Sequence, residues 1–67
     1  MKMILKYAES KKARLCRECN RFIPAHERHV IAINQAGTIF AHFCGNECKT
    51  DFKTLNPQFE FKDATLS

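Results

Sequence analysis

Four cysteines in two close pairs are the residues of this sequence with the clearest chemistry. Cys16 and Cys19 are separated by two residues and Cys44 and Cys48 by three, with 24 residues between the two pairs. Thiolates are preferred ligands of tetrahedral zinc, and two such pairs supply a complete set of four. Four thiolates leave no position open for a water molecule. We therefore predict one Zn²⁺ with a structural role and no catalytic metal.

Each pair has a spacing that brings both of its sulfurs to one point. The first pair fits a tight turn, here called the knuckle (residues 17–21), in which backbone amides donate to the thiolates. Cysteines four positions apart on a helix lie on the same face about one turn apart, and a helix N-terminus favours thiolates. Two disulfides or unliganded core thiols are the alternatives, and a reducing compartment disfavours the disulfides.

The lengths of the apolar stretches bear on the cellular compartment of the protein, and so on whether its cysteines are reduced. Residues 1–6 contain only three consecutive apolar residues between lysines, too few for the apolar run of a secretory signal. No stretch approaches the roughly 20 apolar residues of a membrane span. We predict a soluble, cytoplasmic protein that has no membrane partner.

The short chain must position these cysteines with little core to spare. Its 67 residues suffice for one domain, but so short a chain buries too little surface to be secure without a metal or disulfide. We divide it into a basic N-terminal segment (1–14), a zinc domain (15–56) and a tail (57–67). The N-terminal segment is predicted to be a short helix or a strand, and its apolar residues at positions 1, 4, 5 and 8 favour the helix. Alternation of Phe59 and Phe61 with charged residues predicts a short edge strand in the tail.

A hairpin and a helix are predicted between the two cysteine pairs and beyond. Residues 29–33 and 38–43 are rich in β-branched and aromatic side chains, and the loop between them offers Gly37 for a positive φ. From Cys44 the apolar period becomes helical, and the predicted helix (45–55) ends before Asn56 and Pro57. Its inward stripe comprises Cys44, Cys48, Phe52 and Leu55, and its outward residues are Glu47, Lys49, Asp51 and Lys53.

The order of knuckle, hairpin and helix resembles a treble-clef zinc finger. Residues 16–24 (CRECNRFIP), Gly37 in the hairpin, residues 43–48 (FCGNEC) and Phe52 look like the TRASH and MYM-type group, over residues 15–56. This resemblance implies a small α+β fold stapled by zinc. Members of that group, including a large-subunit ribosomal protein family, serve as ribosomal components, metal sensors, and chromatin-associated or protein-binding modules.

Two positions depart from the pattern of that group. Gly45 stands where the group usually has Ser, which removes a capping hydroxyl, and Ala25 stands where it has Gly. Residues 43–48 also resemble small bacterial gyrase-inhibitor zinc proteins, although the cysteine pairs of those proteins lie closer together.

Positive charge is concentrated in the first half of the chain. Residues 1–28 hold eight Lys/Arg against three Glu, a balance of +5, whereas residues 29–67 have a balance of −1. Such a basic half predicts contact with nucleic acid or a nucleoprotein complex. The candidate cations are Lys11, Lys12, Arg14, Arg17, Arg21 and Arg28. The alternatives are a solvated surface and a protein-interaction module that docks on an enzyme and regulates it.

The three histidines offer weaker alternatives for metal chemistry. His42 lies close to Cys44 and could replace a cysteine ligand, and His26, Glu27 and His29 could form a second site. A nuclease on a ββα scaffold would need a catalytic histidine at a strand end and metal ligands on the helix. The predicted helix contains no histidine, so we predict that the protein is not an enzyme.

Overall fold

In the computed structural model, which describes residues 1–65, six strands and one helix follow one another along the chain. They are β1 (Lys2–Ala8), β2 (Arg14–Leu15), β3 (Phe22–Ile23), β4 (His29–Asn34), β5 (Ile39–Phe43), α1 (Asn46–Leu55) and β6 (Glu60–Asp63). This arrangement confirms a small α+β fold. Within residues 1–65, no helix has the length and apolar character needed to cross a membrane.

Strands β4 and β5 form the predicted hairpin. They pair antiparallel, with Val30 opposite Phe43 and Ala32 opposite Ala41. Gly37 has a φ of 83°, and its N–H donates to the Asn34 carbonyl at 3.0 Å. Glycine adopts this left-handed conformation without steric cost, so the turn that brings β5 back along β4 depends on that residue.

The N-terminal segment forms strand β1, and the helix that we favoured for it is wrong. β1 lies inside a sheet of strand order β5-β4-β1-β6, antiparallel to β4 and parallel to β6. Met3 and Leu5 are fully buried while Lys2, Ile4 and Lys6 are exposed, an alternation with the period of a strand. The sheet thus draws strands from all three predicted segments, and the edge strand expected in the tail is confirmed as β6.

Helix α1 packs on one face of this sheet through Phe52. The ring centroid of Phe52 lies 5.0 Å from that of Phe43 on β5 and 5.7 Å from that of Phe61 on β6. The helix begins one residue after the predicted start and ends where predicted. Leu55, predicted to share the inward stripe, is instead 67% exposed.

Lys49, predicted to face outward, is buried and ion-paired with the tail. Its ammonium nitrogen lies 2.8 Å from a carboxylate oxygen of Asp63 and donates to the Thr65 hydroxyl at 2.8 Å. Burial alone raises the pKa of Asp63, but the hydrogen bonds from Lys49, Thr65 and Lys53 outweigh it and hold that pKa well below its usual range. The ion pair therefore ties α1 to the last residue of β6.

Asp63→Asn is expected to lower the free energy of unfolding by about 3 kcal/mol, because it leaves the Lys49 charge buried without a counter-ion. We place the effect at the low end for such a pair because Lys49 retains its bond to Thr65. Chemical denaturation at neutral pH measures the change. The double variant Lys49→Met/Asp63→Leu is the control, and its stability should stay close to that of the wild type.

The same pair predicts how stability depends on acid. The folded protein lowers the pKa of Asp63. The contribution of this carboxylate to the free energy of unfolding is therefore complete above the unfolded pKa of about 3.9, and it is lost as the pH falls towards the pKa of the folded state. The stability difference between wild type and Asp63→Asn should accordingly shrink below about pH 4. A difference that stays constant through that range would contradict the assignment.

Candidate metal centre

The sulfurs of Cys16, Cys19, Cys44 and Cys48 converge at one point of the structure. All four lie within 4.8 Å of one another. The Cys19 and Cys44 sulfurs are 3.5 Å apart, and those of Cys44 and Cys48 are 3.6 Å apart. All four are free thiols rather than disulfides. The two pairs that the sequence singles out therefore form one cluster.

The knuckle between β2 and β3 positions the first pair. The N–H of Cys16 donates to the Arg21 carbonyl at 2.9 Å, and the N–H of Asn20 donates to the Cys16 carbonyl at 3.0 Å. Asn20 has a φ of 60°, a left-handed conformation that asparagine tolerates better than most residues. A further bond, from the Arg17 N–H to the His42 carbonyl at 2.8 Å, attaches the knuckle to β5.

The junction between β5 and α1 positions the second pair. Cys44 directly follows β5, and Cys48 is the third residue of α1. The N–H of Lys49 closes the first helical turn on the Gly45 carbonyl at 3.2 Å. Gly45 caps the helix without a side-chain hydrogen bond, with an extended φ of −176° that any residue can adopt. One helical turn thus carries Cys48 back towards Cys44.

The separations between sulfurs fit a tetrahedral metal ion. Zn–S bonds of about 2.3 Å in a tetrahedron place neighbouring sulfurs about 3.8 Å apart. The observed 3.5 and 3.6 Å are close to this value, and both are far longer than the roughly 2.05 Å of a disulfide bond. The four cysteines are therefore positioned so that they could hold one metal ion.

The electrostatics of the centre favour one thiolate even without a metal. Burial raises the pKa of the Cys16 thiol, but backbone N–H groups of Cys19, Cys44 and Glu18 donate to its sulfur and together lower that pKa to about 6. Burial raises the pKa of Cys44 and of Cys48, and at Cys48 the hydrogen bonds that its thiol donates to the neighbouring sulfurs raise the pKa further. A metal ion that binds here must displace the protons of those thiols.

The histidines form a feature that the sequence analysis missed. His29, 2% exposed, points its Nδ1 at the Glu27 carbonyl and its Nε2 at the His42 Nδ1, both at 2.8 Å. Because a carbonyl only accepts, Nδ1 of His29 is the donor to Glu27, and in the neutral form of His29 its Nε2 accepts from His42. Burial, followed by the charges of His29 and Arg14, lowers the pKa of His42. Within residues 1–65 no histidine joins the metal-ligand cluster, so neither proposed histidine site is formed.

The six candidate cations are all exposed but occupy different places. Arg14, Arg17 and Arg21 belong to β2 and the knuckle, and Lys11 and Lys12 lie in the segment that leads into β2. Arg28 lies apart from them, with its guanidinium 4.7 Å from the ring centroid of Tyr7 on β1. Five of the six therefore lie on one stretch of the chain, residues 11–21, which leads into and forms the knuckle.

No protein-family model, curated protein or solved structure matches this chain. The candidate metal centre therefore rests on the geometry of the four sulfurs alone. The resemblance to the TRASH and MYM-type group stays a prediction.

Proposed function

We propose that this protein is a small binding module whose fold is held by one structural Zn²⁺ in a treble-clef arrangement. The convergence of four thiol sulfurs within 4.8 Å carries the proposal. Zinc is favoured over other ions because a closed shell of four thiolates is its commonest structural site. The knuckle supplies the first pair of ligands, and the start of α1, reached through the β4–β5 hairpin, supplies the second pair, an order typical of a treble clef.

A structural role follows from the ligand set and places the activity elsewhere on the surface. Four protein ligands leave no position for a substrate or an activated water, so we propose no enzymatic activity at this centre. Free thiols of this kind persist in a reducing compartment, which supports a cytoplasmic location.

We further propose that the basic surface around the knuckle contacts nucleic acid or a nucleoprotein complex. Within residues 1–65, none of the six candidate cations forms a salt bridge with a carboxylate, which leaves their charges free for phosphates. The guanidinium of Arg17 lies 5.2 Å from the ring centroid of Phe40, within the range of a cation–π contact.

Exposed apolar side chains lie among these cations. Leu15 and Phe22 face each other across β2 and β3 and are 61% and 62% exposed. Phe22 stands beside Arg21, and Leu15 beside Arg14. The exposed Phe22 ring, one residue after Arg21, suits stacking of an unpaired base, so single-stranded nucleic acid is the favoured ligand.

Binding of a labelled single strand, followed by fluorescence anisotropy, should weaken steeply as salt increases. The log–log slope should be about −0.7 per neutralised phosphate on a single strand and about −0.9 on a duplex. The triple variant Lys11→Ala/Lys12→Ala/Arg14→Ala should flatten the slope while leaving the metal content unchanged, because these residues precede the first cysteine.

The matched control removes three other lysines, in the variant Lys2→Ala/Lys6→Ala/Lys62→Ala. It changes the net charge equally, but its substitutions lie on β1 and β6. If both triple variants flatten the slope alike, the binding is a response to net charge and not to the knuckle surface. Absence of any binding at low salt, to DNA or RNA, would end the nucleic-acid proposal.

A further inference from the structure

The sheet has a second face, opposite the one that α1 covers. Strand registers place Met3 and Leu5 with Phe61, Ala32 and the other inward residues, so the alternate residues of each strand face away from the helix. Here this surface is called the outer face. Its residues on the four strands are Lys2, Ile4, Lys6, Ala8, His29, Ile31, Ile33, Ile39, His42, Glu60 and Lys62. His29 and Ile31 are buried, so the part of this face that is open to solvent lies around Ile4, Ile33 and Ile39.

A strip of isoleucines crosses the outer face. Ile4 on β1 is opposite Ile33 on β4, and Ile33 is opposite Ile39 on β5. Ile4 is 38% exposed and Ile39 is 47% exposed, with Ile33 half-buried between them. Three adjoining β-branched side chains thus present one apolar surface to solvent, a feature typical of binding sites rather than of ordinary surface.

Lysines border this strip on the side of the N-terminal and C-terminal strands. Lys62 is opposite Ile4, and Lys2 and Lys6 flank Ile4 on β1. Glu60, opposite Lys2, is the one acidic residue of the outer face among residues 1–65. Lys2, Lys62, Ile4 and Gln35 line a shallow depression of about 380 Å³. An apolar floor therefore lies beside two ammonium groups.

We propose that the outer face docks a segment of a partner protein in which apolar side chains are flanked by carboxylates. The isoleucine strip fits the apolar side chains, and the excess of lysine over acid selects for negative charge. A second copy of this chain would set lysines against lysines, which like-charge repulsion disfavours. The strip is aliphatic, so it lacks the aromatic rings on which nucleic-acid bases stack.

This surface shares no residue with the six candidate cations or with the metal ligands. Docking of a partner at the outer face is therefore independent of nucleic-acid binding at the knuckle, and the two can be tested separately. The zinc-loaded protein would carry two contact surfaces, one on the knuckle and one on the sheet.

Selection of short random peptides displayed on phage, against the immobilised zinc-loaded protein, tests the proposal. Peptides that are retained should combine Asp or Glu with apolar residues. Their affinity should fall by about tenfold or more in the variant Lys2→Glu/Lys62→Glu. The control Lys11→Glu/Lys12→Glu changes the net charge equally and should bind the same peptides as the wild type.

A second pair of variants tests the apolar strip. Ile4→Ser should weaken the selected peptides, whereas Leu55→Ser, which alters an exposed leucine on α1, should not. On addition of a selected peptide, amide NMR shifts should change at Ile4, Ile33 and Ile39.

Several results would overturn the proposal. These are retained peptides without acidic excess, equal binding by both charge-reversal variants, and shift changes confined to other surfaces. If the wild type self-associates in sedimentation experiments and Ile4→Ser does not, the isoleucine strip binds a second copy of this chain. If no acidic peptide is retained, and the wild type binds single-stranded nucleic acid or anionic vesicles in a way that Lys2→Glu/Lys62→Glu abolishes, the outer face binds those ligands instead.

Discussion

Replacing Cys44 or Cys48 with Ser is expected to release the metal and unfold the protein. Structural zinc contributes about 10–16 kcal/mol of apparent binding free energy in zinc-finger peptides, and that energy is available only to the folded chain. A domain of this length has a net stability of only about 3–10 kcal/mol. We therefore expect that losing one of the four ligands lowers the free energy of unfolding by more than the net stability of the domain.

Native mass spectrometry and thermal unfolding measure this outcome together. The wild type should carry one metal ion per chain, and elemental analysis should identify it as zinc. Either Ser variant should show neither the ion nor a cooperative transition. The control is Cys19→His, which keeps four donors because imidazole also binds zinc and because Cys19 lies exposed at the edge of the cluster. That variant should stay folded, with weaker zinc binding.

A metal-free chain that still unfolds cooperatively near the wild-type midpoint would refute the structural role. The same observation in Cys44→Ser would show that the β4–β5 hairpin and α1 hold together by packing alone. In that case the four thiols would need another explanation.

The features that the sequence predicts well are those that depend on near neighbours. Cysteine spacings of two and three residues reflect the geometry of a turn and of one helical turn, and the structure joins both pairs. The hairpin was predictable for the same reason, since Gly37 and the β-branched residues around it are local signals. The helix boundary was wrong by one residue, at Gly45.

The features that the sequence predicts poorly depend on partners far along the chain. Positions 1, 4, 5 and 8 fit a helical period, yet Met3 and Leu5 are the residues that β4 and β6 bury. Lys49 faces inward only because Asp63, fourteen positions later, supplies its counter-ion. The His29–His42 contact likewise arises from the pairing of β4 with β5. Each of these depends on a strand register that local periodicity does not encode.

Phe52→Ala is expected to destabilise the protein by about 4–5 kcal/mol, near the upper end for loss of a buried phenylalanine. Phe52 is 2% exposed, and its ring lies against those of Phe43 and Phe61. The ring centroids of Phe40 and Phe59 lie 6.2 Å and 6.5 Å from that of Phe52. Removing it opens a cavity that four aromatic rings border. Those rings are held by β5 and by the chain around β6, so collapse of the cavity would require the sheet to move.

Chemical denaturation of the zinc-loaded proteins measures the loss, and Leu55→Ala provides the matched control. Leu55 lies one helical turn further on the same predicted stripe, but it is 67% exposed, so its replacement should change stability by less than about 0.5 kcal/mol. A large effect at Leu55 with a small one at Phe52 would mean that α1 is rotated on the sheet. Since Cys48 and Phe52 are four residues apart on α1, such a rotation would also turn Cys48 away from the other three sulfurs. Two results together would therefore support both the core and the metal centre. Leu55→Ala should bind as much zinc as the wild type, and Phe52→Ala should unfold at a lower denaturant concentration.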